Sequence, residues 1–173
     1  SRRLYIFGHE LTHAMAAWSL GAEVRGFHVD GEGGHVDLNE SNFIIALAPY
    51  CVPLYTLLVI LGYRLLLWWR PAGSFPEVFL LLMGATVAFH LLLTFECLWD
   101  RRQPDLAAAG GKVFSLALIG LANGVLVTVL LKALFPHSVD LGGSVAQAAA
   151  LSVKFWNLAF HKTAAFAALL RAA

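Results

Sequence analysis

Three stretches of this chain are too apolar and too long for the surface of a water-soluble domain. Residues 43–69 are apolar apart from tyrosines, Thr56 and Arg64; residues 78–99 are interrupted mainly by His90 and Glu96; residues 113–135 carry Asn123 inside and Lys132 near the end. A bilayer core of about 30 Å needs about 20 apolar residues of helix, so each stretch reads as a membrane span. Lys132 lies where a long cation can snorkel to the interface, and Asn123 reads as a contact between helices. Composition agrees: the 173 residues are 59% apolar and 13% charged, against about 25% charged in a soluble domain. A formal net charge of +1 gives no overall attraction to nucleic acid or an acidic partner. Cys51 and Cys97 lie far apart inside apolar runs, define neither a disulfide framework nor a thiolate metal site, and read as buried thiols.

The flanking segments are less uniform. Leu4 to Leu20 is about one span long, and reads as a span cut short at its start, with missing turns before Ser1. No cleavable signal peptide is expected there, because His9 and Glu10 interrupt the apolar stretch soon after Arg2 and Arg3. The last segment, 145–172, has a polar side containing Lys154, His161 and Lys162; a span and an interfacial helix both remain open, with His161 as an interfacial side chain. Between the first two helices, residues 23–29 and 34–38 alternate apolar and polar around Asp30-Gly31-Glu32-Gly33-Gly34, the pattern of a β-hairpin. The expectation is an all-α polytopic membrane protein of four to five helices with a short β-hairpin after the first, forming one domain over 1–173.

Chemistry is concentrated in His9-Glu10-Leu11-Thr12-His13, an H-E-x-x-H motif. Positions i and i+4 share a helix face, so His9 and His13 can present imidazole nitrogens to a single Zn²⁺. Glu10 points beside that ion, where it can take a proton from an activated water and deliver it to a leaving amine. Short motifs recur by chance, but two imidazoles and a carboxylate are costly in an apolar helix unless they serve a function.

Hydrolytic zinc sites usually have three protein ligands and an open position, and His90, Glu96, Asp100 and Asp105 are the candidates for the third. The rise from His9 to Gly21 is roughly 18 Å and from His90 to Trp99 roughly 14 Å, so His90 reaches the depth of the motif if both helices end on the same side. Asp105 reaches it only if its segment dips inward, as irregular backbone does where protein or water shields it. Spacing alone does not choose. Without a metal, Asp105 reads as a helix N-terminal acid after Pro104, and His90 and Glu96 as hydrogen-bonding groups between helices.

Gly8-His9-Glu10-Leu11-Thr12-His13-Ala14, Leu20-Gly21-Ala22 and Gly33-Gly34-His35-Val36 together resemble the site-2 protease family of intramembrane zinc metalloproteases, over about the first 55 residues. The resemblance implies a membrane-associated hairpin after the motif helix and an Asp from a later helix as third zinc ligand. Pro104-Asp105 is similar to that later element, though Leu106 stands where the family has Gly, and Ala48-Pro49-Tyr50-Cys51-Val52-Pro53 replaces its Gly-Pro segment. On this basis Asp105 is favoured as third ligand, followed by His90, as alternative ligand or as a group supporting the ligands, and then Asp100. The hairpin, with Gly33, Gly34, His35 and Val36, is implied to bind substrate; an exposed strand edge can also hold an extended peptide by main-chain hydrogen bonds.

The expected function is hydrolysis of peptide bonds in membrane-embedded or membrane-proximal polypeptides, with Glu10 as catalytic base, Zn²⁺ as cofactor and the bilayer as surroundings. Lys and Arg residues are too evenly distributed to orient the chain; the resemblance implies a multi-pass protein with the motif nearer the cytoplasmic face. Two other classes compete. A non-proteolytic binding or regulatory module would keep the fold without cleavage, and an ion transporter would have no need of a general base.

Overall fold

The computed structural model describes residues 2–31, 33–70, 75–99 and 104–172. It is mostly helical, with seven helices and one two-stranded sheet among the described residues: α1 (Arg2–Ser19), β1 (Val24–Val29), β2 (Gly34–Leu38), α2 (Phe43–Cys51), α3 (Leu54–Trp69), α4 (Pro76–Trp99), α5 (Pro104–Ala108), α6 (Lys112–Leu134) and α7 (Leu141–Ala172). The chain forms two compact units, Ser1–Asn123 and Gly124–Ala173.

The hairpin forms where the alternation places it. Its strands are antiparallel, pairing Val29 with Gly34, His28 with His35 and Phe27 with Val36, with an irregularity between Val24 and Gly26. Asp30 closes the turn, its N–H donating to the Gly33 carbonyl and its carboxylate accepting from Gly33 N–H. Helix α1 packs against both strands and α2, burying the small residues Ala14 and Ala17 on the face that carries Glu10, while Gly8 on the other side lies against Tyr55.

The apolar run over 43–69, expected as a membrane span, forms two helices, α2 and α3, bent by 66° at a break rather than one continuous helix. Pro53 is the cause. It has no N–H, its ring clashes with the carbonyl four residues back, and it pushes Val52 before it into extended backbone, so the helix ends at Cys51 and restarts at Leu54; Pro49 stays inside α2. With the short α5, this break raises the helix count above the expected four to five. The start of α2 is fixed by Asn42, whose side-chain oxygen accepts from Ile44 N–H and Ile45 N–H at 2.9 and 3.0 Å.

Among the described residues two helices, α4 and α6, are long and apolar enough to cross a membrane, and α2 with α3 makes a third if the bent pair is one span. The apolar windows of α4 and α6 have mean hydropathies of 2.2 and 2.3, yet only 11% of each is buried. Within the first unit, α3 and α4 pack together, with a hydroxyl pair between Thr56 and Thr86 at 3.1 Å. The main core joins α2, α5 and α6 through Leu47, Tyr50, Leu106, Ala109 and Ile119, with the Cys51 and Cys97 thiols at its edge. In the second unit, the Lys132 ammonium donates to the carbonyls of Pro136 and Val139, and α7 leaves Phe155, Trp156 and Phe160 exposed.

Candidate metal centre

The i, i+4 spacing on α1 brings the His9 and His13 rings to a centroid separation of 4.9 Å. His13 is oriented from outside its own helix: Nδ1 donates to the Ile45 carbonyl at 2.8 Å, which is available because Pro49, four residues on, has no N–H to return to it. This bond fixes the tautomer that leaves a lone pair on Nε2. His9 is set by packing, edge-on to Tyr50 at 5.1 Å, and its Nδ1 is buried without a hydrogen-bond partner.

Asp105 arrives from α5. Leu106 and Ala109 anchor that short helix in the core, and the Ser115 hydroxyl donates to the Leu106 carbonyl at 3.1 Å. Gly110 and Gly111, with φ of 109° and 102°, make the left-handed turn into α6 that residues with a Cβ resist. The segment thereby brings its carboxylate to the two imidazoles: Asp105 Oδ2 lies 3.5 Å from His9 Nε2 and 3.6 Å from His13 Nε2.

Those separations carry chemical information. A hydrogen bond from an imidazole to a carboxylate spans about 2.7–3.2 Å. Ligand atoms around a tetrahedral zinc, each about 2.0–2.2 Å from the ion, stand about 3.3–3.5 Å apart. The observed distances are too long for the first and close to the second, and the three donor atoms lie within 4.8 Å of one another. The group could hold a metal ion. Burial would push the Asp105 carboxyl up, but the facing imidazoles of His13 and His9 and the hydrogen bond from Tyr50 outweigh it and hold the group well below the usual carboxylate range. It is therefore ionised, as a ligand must be.

Glu10, 8% exposed, lines a groove of about 580 Å³ with His9, His13 and Asp105 on one side and Gly34, His35 and Val36 on the other. Strand β2 approaches the motif at Gly34. A Cβ there would lie 2.6 Å from Glu10 Cγ and 3.0 Å from the His28 carbonyl oxygen, whereas a Cβ at Gly33, in the turn, would meet nothing within 4 Å. Gly34→Ala is accordingly expected to lower stability by about 1–3 kcal/mol in thermal unfolding, and Gly33→Ala to have a much smaller effect. Equal effects would contradict a close contact at Gly34.

His90 is not among the converging donors; its Nε2 pairs with Asn123 Oδ1 at 3.1 Å. It shares with His9 the lining of a separate cavity of about 30 Å³. Glu96 is exposed on α4, and Asp100 lies outside the described residues. Sequence reasoning missed Tyr50, whose hydroxyl donates to Asp105 Oδ2 at 2.8 Å. Its signal was a tyrosine held between Pro49 and Pro53 in an otherwise apolar run. No protein-family model, curated protein or solved structure matches this chain.

Proposed function

We propose that this protein is an intramembrane zinc metalloprotease that hydrolyses peptide bonds of membrane-embedded or membrane-proximal polypeptides. The observation that carries the reading is the pair of 3.5 and 3.6 Å separations between Asp105 and the H-E-x-x-H imidazoles, close to two edges of a tetrahedral site. His9, His13 and Asp105 would hold the ion. Bound there, zinc supplies an activated water at neutral pH and polarises a carbonyl. Glu10, buried beside the ligands and open to the groove, accepts a proton from the water and passes it to the departing amine. The Ile45 carbonyl holds His13 in the ligating tautomer, and the hairpin walls the groove opposite the ligands. The mostly outward-facing apolar side chains of α4 and α6 suit lipid, so the protein is read as multi-pass, with the centre nearer the cytoplasmic face as the family resemblance implies.

The test is metal content and cleavage together. Protein purified in detergent is expected to carry close to one zinc ion per chain, the stoichiometry of one three-ligand site, and to cut a reporter polypeptide whose membrane helix has been weakened by Gly and Pro. Chelation should abolish cleavage and zinc should restore it. A folded protein that takes up no zinc overturns the reading; zinc uptake without cleavage leaves a metal-binding module in its place.

A further inference from the structure

We infer that Tyr50 is a positioning residue of the metal centre, held in place by a hydrogen-bonded chain that reaches Asn123 on α6 and His90 on α4. The inference rests on the reading of His9, His13 and Asp105 as metal ligands. Tyr50 is completely buried and touches two of the three: its hydroxyl donates to Asp105 Oδ2 at 2.8 Å and its ring packs edge-on to His9. A carboxylate on a single side chain can rotate and exchange its two oxygens. A hydrogen bond to Oδ2 selects the oxygen and its direction, the role that outer partners of metal ligands generally play.

The backbone of Tyr50 is held with equal care. In an unbroken helix its carbonyl would accept from Leu54 N–H, but the break at Pro53 sends that N–H to the Val52 carbonyl at 2.9 Å. An unsatisfied carbonyl in apolar surroundings is expensive, and Asn123 meets it: Nδ2 donates to the Tyr50 carbonyl at 2.7 Å and also to the Ile119 carbonyl at 2.9 Å. With Nδ2 committed as donor, Asn123 Oδ1 is the acceptor that faces His90 Nε2 at 3.1 Å, so that nitrogen carries the proton and is not a free ligand. The broken helix thus frees a carbonyl that Asn123 of α6 bonds directly, with His90 of α4 holding Asn123 in turn.

Tyr50→Phe keeps the ring and removes only the hydroxyl. Zinc affinity, measured by competition with a chelator, is expected to fall about 10–100-fold, with an altered visible spectrum of the Co²⁺-substituted protein and little change in the unfolding temperature of the metal-free form. Asn123→Ala, which releases the Tyr50 carbonyl, is expected to move affinity and spectrum in the same direction by less. If the parent binds zinc and both variants bind it as the parent does, the positioning role is overturned while the metal centre stands. The role is equally overturned if the metal-free form of Tyr50→Phe is destabilised but affinity and spectrum are unmoved. If the folded parent binds no zinc, both the centre and this inference fall. Should Tyr50→Phe not fold, affinity and spectrum in Asn123→Ala decide.

Discussion

Glu10→Gln is expected to slow peptide hydrolysis by about 10²–10⁴-fold, the range for removing a positioned general base, while zinc content stays at the parent level. The substitution preserves size and the buried position beside Gly34 and removes only the capacity to accept a proton. Paired measurements of zinc by elemental analysis and of reporter cleavage separate this outcome from misfolding, which would lower both. Full activity in Glu10→Gln would remove Glu10 from the mechanism.

Asp105→Ala and His13→Ala are each expected to leave little bound zinc, because a three-ligand site reduced to two loses the closed donor set. His90→Ala should keep its zinc with affinity weakened at most about 10–100-fold, the range for loss of an outer partner, since its nitrogen faces Asn123 rather than the imidazoles. Zinc stoichiometry across the three variants distinguishes these roles. Retention in Asp105→Ala together with loss in His90→Ala would reassign the third ligand.

What could be read from the sequence follows the range of the forces involved. His9, Glu10 and His13 are legible because their geometry is set within one turn of α1, by the 3.6-residue period alone. The hairpin is legible for a similar reason, its alternation and its glycine-rich turn being local signals. Asp105 is not: spacing left it level with other acids and a histidine, because its position depends on Leu106 and Ala109 seating α5 in a core shared with α2 and α6. The break in residues 43–69 was visible as Pro53, but uniform apolarity outweighed it in favour of an unbroken helix. The consequences of the break lie further off still. That the Ile45 carbonyl serves His13 and the Tyr50 carbonyl serves Asn123 depends on how helices distant in sequence pack, which no local pattern encodes.

The placement of Asp105 also bears on timing during synthesis. It follows His13 by 92 residues, and it reaches the imidazoles only when α5 is seated on α2 with α6 behind it. A chain still emerging from the ribosome carries the complete H-E-x-x-H helix and hairpin long before it carries Asp105. Closing so long a loop is entropically unfavourable until the α2–α5–α6 core forms to offset it. Until then the nascent chain holds two imidazoles and Glu10 without Asp105, so the His9–His13–Asp105 group, and with it the proposed hydrolysis, waits on the first turns of α6.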